Sequence, residues 1–389
     1  LAGKGTPNGV TGTVGDGTAM DSLTGLGTVV TDGRLSAWTG LSQPDLTNPE
    51  APDFGSMMQD EAGNIEWAET EIPFLLLVPQ ETAEHVAPFP VIMYQHGFFG
   101  SKEKALMHAQ SYLDAGYALL AIDLPLHGER TPAGVEGGTG FLSADAAGSK
   151  DHIVQASLDM AQTLRGLDDG GALQLWLTDE LGSSPLDSGR VYLVGHSLGA
   201  MCSVIVAAVE NALDAVVLIA PGGHLTRILS ETESAWLKDP IMGQLSAMGI
   251  EPGTSAYNQF VTMAQILLDK GDPIHYARRM ARSPLDGVSA KPVLIIQPGA
   301  DGLMPEATSR GIACAMRTGD MPYVKRFEGQ CHSFYEHGCS ADDAPPGADA
   351  TTALGDILTF LDGAGDGTAV VGAIPGTELE CTDDLGVTR

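Results

Sequence analysis

The hydrophobic positions of this chain change pattern near residue 90. Before it, apolar residues are scattered among Gly, Thr, Asp and Pro. Short strand-like pieces appear there, such as Gly27-Thr28-Val29-Val30, followed by Asp32-Gly33 as a turn signal. Ile72-Pro73-Phe74-Leu75-Leu76-Leu77-Val78 reads as an early strand. From Pro90 onward, compact apolar runs alternate with stretches of helical period. Val91–Gln95, Tyr117–Ile122, Arg190–Val194, Ala215–Ile219, Pro292–Ile296 and Met321–Phe327 predict strands. Glu103–Ala115, His152–Leu167, Ala200–Val209, Glu306–Met316 and Thr351–Leu361 predict helices, the second of them capped by Asp151. Residues 128–150 read as a long Gly-rich loop, and 223–288 as a mostly helical insertion.

Strands alternating with helices define the class α/β: a mostly parallel central sheet with helices on both faces. The expected organisation is an extended N-terminal wrap over 1–70, a core over 71–222 and 289–362, a helical cap or lid over 223–288, and a C-terminal tail over 363–389. Ligands bind such sheets beyond the carboxyl ends of the strands. The insertion lies where a cap would cover that site. Its apolar residues, among them Leu225, Ile228, Trp236 and Phe260, either pack the cap together or line an acyl pocket.

One pentapeptide carries the chemistry. Gly195-His196-Ser197-Leu198-Gly199 stands between a predicted strand and a predicted helix. G-x-S-x-G in that context is a nucleophile elbow, which exposes the serine hydroxyl at the tip of a sharp turn. A serine needs a base to take its proton and an acid to orient the base. In elbow enzymes these follow in the order Ser, Asp or Glu, His. Asp301 follows the strand ending at Ile296, and His332 follows the strand ending at Phe327. Each alone reads as a loop residue; together, after consecutive strands and in the required order, they form a candidate triad. His337, in the same loop as His332, is a rival base further from the strand end.

The tetrahedral intermediate needs donors for its oxyanion. The backbone N–H of Leu198 is one candidate, and the second comes from His96-Gly97-Phe98-Phe99-Gly100, Phe98 first and Phe99 as its alternative. The rings of Phe98 and Phe99 line the acyl pocket or pack against the lid. His196 is a local hydrogen-bond residue or a pocket wall. Asp123 and His127 follow another strand and are expected to hydrogen-bond and shape the loops around the site.

Five cysteines add a constraint. Cys202, in the helix after the elbow, reads as a small buried apolar residue. Cys314 should end a helix running away from the site, whereas Cys331 follows the strand that returns to it. The two then lie about 20 Å apart, beyond disulfide reach. Cys331 therefore pairs with Cys339, closing the loop that holds His332, and Cys314 pairs with Cys381, pinning the tail.

Fifty acidic against twenty basic residues give a formal charge of −30, which excludes nucleic acid and disfavours anionic membrane surfaces. A mean hydropathy of +0.04 describes a soluble globular protein, and no apolar run reaches the roughly eighteen residues of a membrane span. Leu1-Ala2-Gly3-Lys4 lacks the regions of a signal peptide, as expected of a mature or shortened form. Asp362-Gly363-Ala364-Gly365-Asp366-Gly367 lacks the ligand spacing of a calcium loop, and no histidine pair has metal-ligand spacing, so no metal and no cofactor is implied.

From about Pro90 to Leu361 the chain resembles an α/β-hydrolase serine esterase. More narrowly it resembles the bacterial extracellular lipases grouped as virulence-factor lipases. The matching stretches are Gln95-His96-Gly97-Phe98, Ala121-Ile122-Asp123-Leu124-Pro125-Leu126-His127-Gly128 and Val194-Gly195-His196-Ser197-Leu198-Gly199-Ala200. The middle one is the most specific. The resemblance implies hydrolysis of carboxylic esters, lipids included, outside the cytoplasm, with Ser197, Asp301 and His332 as the triad. The expectation is a secreted, monomeric serine carboxylester hydrolase (esterase or lipase) acting on small-molecule, lipid or polymer esters. A lysophospholipase, a polyester or cutinase-like hydrolase and an acyltransferase are rivals within enzymes. A catalytically silent hydrolase fold serving as a binding module is the rival outside them.

Overall fold

A computed structural model describes residues 9–15, 27–48, 52–319, 321–339, 347–365 and 381. Residues 1–8, with the opening tetrapeptide, lie outside the described part, as does the tail beyond 365 apart from Cys381. The strands are β1 (Val10–Gly15), β2 (Gly27–Thr39), β3 (Ala68–Pro79), β4 (Phe89–Gln95), β5 (Ala118–Ile122), β6 (Leu186–His196), β7 (Ala215–Ile219), β8 (Val293–Pro298) and β9 (Tyr323–Phe327). They form one nine-stranded sheet in the order β1-β2-β3-β5-β4-β6-β7-β8-β9. The first three are antiparallel to their neighbours, and the strands from β5 to β9 run parallel. The sheet is therefore mostly parallel, and the carboxyl ends of β4, β6, β8 and β9 open onto one edge.

The helices are α1 (Ala109–Asp114), α2 (Ala146–Gly166), α3 (Ala172–Leu181), α4 (Leu198–Val209), α5 (Leu225–Glu231), α6 (Ala235–Ala247), α7 (Ser255–Leu268), α8 (Ile274–Met280), α9 (Glu306–Met316) and α10 (Ala348–Gly365). Strand alternation explains how both faces are covered. Val191 and Leu193 of β6 join a core with α2, α4, α8 and α9. Tyr192 and Val194 face the other way, into a core with α1 and α10. The continuous apolar runs of the sequence are thus strands buried on two faces.

Four local readings are corrected. Asp32-Gly33 is not a turn: β2 passes through it, with a register shift between Val30 and Gly33. Gly33 stands there because a Cβ would fall 2.4 Å from the ring of Phe74 on β3. The long helix starts at Ala146, not His152, because Asp145 is its cap, accepting from the N–H groups of Ala147 and Gly148 at 3.1 Å each. Asp151 lies inside that helix and accepts the N–H of Met57 at 3.0 Å, tying the N-terminal segment down. The stretch after Ser101 is a 3-10 helix, Lys102–His108, followed by the short α1, rather than one α-helix. Between the long helix and β6 stands a further helix, α3, outside the expected elements, which adds Leu173 and Leu177 to the core.

Candidate active site

The elbow is built by strain and close approach. Ser197 has φ 54° and ψ −118°, a conformation that costs a non-glycine residue of order 1–3 kcal/mol. It persists because both flanks are fixed. The Ser197 N–H donates to Ile219 O at 2.9 Å, and α4 begins at once, buried along nearly its full length. A Cβ on Gly199 would lie 2.2 Å from Gln95 O, and one on Gly195 would lie 2.5 Å from Ser203 Oγ. Only glycine lets α4 sit this close to β4 and β6.

The structure brings Ser197, His332 and Asp301 into line. Ser197 Oγ lies 2.6 Å from His332 Nε2, and His332 Nδ1 lies 2.7 Å from Asp301 Oδ2. The other Asp301 oxygen accepts the N–H groups of Leu303 and Met304, at 2.9 and 2.8 Å. This fixes the carboxylate before it meets the imidazole. With Nδ1–H donated to Asp301, Nε2 is free to accept the serine proton, the arrangement that makes a hydroxyl nucleophilic. It is His332, and not His337, that the loop brings to Ser197.

The loop after β4 passes directly beside the serine: a Cβ on Gly97 would lie 3.0 Å from the Cβ of Ser197. Phe98 and Leu198 both line the pocket that Ser197 opens into, at the start of α4, where a helix N-terminus favours negative charge. His96 underpins the loop. Its Nδ1–H donates to Gly97 O at 2.8 Å, and its Nε2 accepts the N–H of Leu124 at 3.3 Å. Burial lowers its pKa to about 4, so it is neutral. His127 is likewise neutral, pushed down to about 3 by burial and by His96 beside it. It donates through Nδ1 to Pro125 O at 2.9 Å and packs against Phe98 and Phe141. Asp123 bonds elsewhere, to the N–H groups of Lys102 and Glu129 at 2.8 and 3.0 Å and to the Lys102 ammonium at 3.3 Å. The two residues shape neighbouring loops through separate partners.

Ser197 forms part of the wall of a pocket of about 780 Å³, counting its open mouth. Phe98, Met201, Leu225, Ile228, Phe260 and Leu268 are among its walls, and the side chains from 225 to 268 come from α5, α6 and α7. Apart from Ser197, the lining residues that are not apolar are Ser143, Ser149 and Thr226, and the hydroxyls of Ser149 and Thr226 are bonded within the protein. Leu229, Trp236 and Ile241 also line it, whereas Leu245 is buried away from it and Met248, Met263, Ile266 and Leu267 are exposed. The apolar residues of the insertion therefore divide between lining, packing and surface.

Two sequence-derived pocket residues lie elsewhere. Phe99 is 42% exposed, at φ 59°, and rests on Phe98 and Trp236 outside the pocket wall. His196 is buried behind the triad, where it meets His332 O and Glu336, so it is the local hydrogen-bond residue and not a wall. Glu336 escaped the sequence reading. Its one signal is an acid after the apolar pair Phe334-Tyr335 inside the Cys331–Cys339 loop. That disulfide and Cys314–Cys381 are both formed, with Cα–Cα distances of 5.6 and 5.7 Å, and Cys202 is free and buried.

A mostly parallel sheet, an elbow at the end of β6 and an acid and a histidine just beyond β8 and β9 define a hydrolase of the α/β class. The sequence pattern of the alpha/beta hydrolase family matches residues 96–310, and the chain belongs to that family. Among solved structures it is similar to an acetyl xylan esterase from Paenibacillus sp. R4, with 16% identity and a TM-score of 0.56 over 91% of this chain and 89% of that one. It is also similar to acetyl xylan esterase 1 from Thermoanaerobacterium sp. JW/SL YS485, with 15% identity and a TM-score of 0.52 over 93% and 89%. At these identities the likeness is one of fold. No curated protein matches the sequence.

Proposed function

We propose that this chain is a serine carboxylester hydrolase working through Ser197, His332 and Asp301. The observation that carries the reading is the continuous line Ser197 Oγ–His332–Asp301 opening into an apolar pocket. Ser197 Oγ attacks the ester carbonyl carbon while His332 Nε2 takes its proton. Asp301 holds the imidazole in the right tautomer and faces the imidazolium that forms. The N–H groups of Leu198 and Phe98 receive the oxyanion. The intermediate collapses, the alcohol leaves with the proton from His332, and the acyl group stays on Ser197. A water, deprotonated by His332, then releases the carboxylic acid and restores the serine.

The pocket supports an acyl group with a hydrocarbon chain, since buried apolar walls reward methylenes and penalise unpaired polar groups. This favours the esterase or lipase reading within the extracellular lipase group the sequence resembles, over a binding module. Esterases among the fold neighbours agree with it at the level of the fold. Helices α5–α7 act in this reading as the cap, whereas α8, also within the expected 223–288 segment, packs with α4 and α9 in the core, and the two disulfides support a secreted location.

The test is hydrolysis of p-nitrophenyl esters of graded acyl length, beside Ser197→Ala. We expect turnover in the wild type and a loss of at least about 10³-fold in the mutant. A folded wild type that hydrolyses none of the esters and takes up no fluorophosphonate label would refute the reading in favour of a silent binding fold.

A further inference from the structure

His332 belongs to a loop, and a base on a loop needs its main chain fixed as well as its ring. Asp301 and Ser197 act on the ring alone. The main chain is gripped from the other side. His196 Nε2 lies 3.1 Å from the carbonyl oxygen of His332. A carbonyl only accepts, so Nε2 carries a proton. The opposite nitrogen, Nδ1, lies 3.2 Å from Oε1 of Glu336, off the line of a hydrogen bond but well within ion-pair distance. Both side chains are buried, with 4% and 6% of their surface exposed.

We propose that Glu336 and His196 are positioning residues: a buried ion pair of imidazolium and carboxylate that locks the loop carrying the base onto the turn carrying the nucleophile. His196 is the residue before Ser197, so the pair joins the two halves of the site directly.

Charge and contacts agree on this state. A neutral His196 with its proton on Nε2 would leave an unprotonated, partly negative Nδ1 3.2 Å from a carboxylate oxygen, a repulsive contact that a proton on Nδ1 removes. Glu336 Oε1 also accepts the Tyr94 hydroxyl at 2.8 Å, and Lys104 Nζ lies 3.8 Å from Oε2. Burial alone would drive Glu336 toward its neutral form. Burial is the largest single influence, but His196 by charge and contact, Lys104 and Tyr94 together outweigh it, and the carboxyl stays well below the usual range. Burial likewise opposes charge on His196. Glu336, the His332 carbonyl and the charge of Asp301 together carry its pKa up. The preceding residue is held too: His108 Nε2 donates to Tyr335 O at 2.6 Å, and the Tyr112 and Tyr335 hydroxyls are 2.7 Å apart.

Neither His196 nor Glu336 lines the pocket. Loosening the pair therefore displaces the base without altering substrate binding. This consequence rests on the ester-hydrolase reading; the ionisation state does not. Glu336→Gln keeps the shape and the acceptor for Tyr94 but removes the charge. With p-nitrophenyl esters we expect kcat to fall about 10- to 100-fold while KM stays within about twofold. His196→Gln should do the same, and the double variant should fall no further than either single one, because the two act as one unit. Ring nitrogen NMR of histidine-labelled wild type should show His196 carrying two protons at pH 7.5, and only one in Glu336→Gln.

A folded Glu336→Gln enzyme with kcat within twofold of wild type would overturn the proposal. So would a singly protonated His196 in the wild type, a measurement that needs no variant to fold. If the wild type hydrolyses no ester, the proposed function fails by itself, and the wild-type spectrum still decides whether the pair exists.

Discussion

Gly199 shows how little tolerance the elbow has. An alanine Cβ there would press on Gln95 O at 2.2 Å and His96 O at 2.6 Å, the end of β4 and the start of the loop bearing Phe98. Backbone cannot yield as a side-chain tip can. Gly199→Ala should therefore push α4 off β4, cost about 2–3 kcal/mol in a denaturant melt, and lower kcat about 10²-fold by moving Ser197 away from Phe98. An unchanged melt together with unchanged turnover would show that the turn can relax. The residues of this scale were unevenly legible. Ser197, Asp301 and His332 are readable because their spacing relative to strands encodes where the sheet delivers them, and the structure brings them together. Glu336 was not, because its meaning depends on His196 and Tyr94, which are near it only in the folded chain.

Among the elements, the pocket depends on helices that contribute little to the sheet. Helix α7 packs on α2 and α5 and turns Phe260, Ala264 and Leu268 inward. Ala264 is 4% exposed and lines the pocket, so a larger side chain there occupies substrate space. Ala264→Trp should lower kcat/KM at least about 10-fold for octanoyl esters and change it little for acetyl esters, measured across a p-nitrophenyl series. A uniform loss across the series would instead signal damage to the triad. The strands were the most legible elements, since burial on two faces leaves an unbroken apolar run. Helix starts were less so. Asp145 and Asp151 both precede apolar stretches, and what marks Asp145 as the cap is that the amides of Ala147 and Gly148 turn back to its carboxylate. The β2 strand was hidden by Asp32-Gly33, where glycine serves the Phe74 ring of the neighbouring strand and not a turn.

For the whole molecule, two neutral buried histidines make stability depend on acid. His96 and His127 have folded pKa values of about 4 and about 3, below the roughly 6.5 of an unfolded histidine. As pH falls, the unfolded chain takes up these protons first. Their contribution is therefore complete above about 6.5 and is lost as pH drops toward the folded values. Glu336, with a lowered carboxyl, loses its contribution only further down, below about 4.3. His196 has the opposite sign: its raised pKa adds stability below about 6.5, which fades as pH rises through the folded value. Between pH 7 and pH 5 the two neutral histidines dominate, at about 2 kcal/mol each. Denaturant melts at the two pH values should show that loss, and His127→Phe should remove about half of it. A melt unchanged between pH 7 and pH 5 would mean that these histidines are not held neutral.

The N-terminal strands have a practical consequence. The family pattern begins at residue 96, yet β2 pairs with β3 from Gly27↔Pro79 to Thr39↔Ala68. Strand β3 in turn pairs with β5 inside the sheet and buries Phe74, Leu75, Leu76 and Leu77. A protein trimmed for expression between β2 and β3, well short of that boundary, would leave β3 as a long apolar edge with its backbone groups unpaired. Such an edge recruits strands from other molecules, so the shortened protein would be prone to form inclusion bodies even with every residue of the reaction site intact.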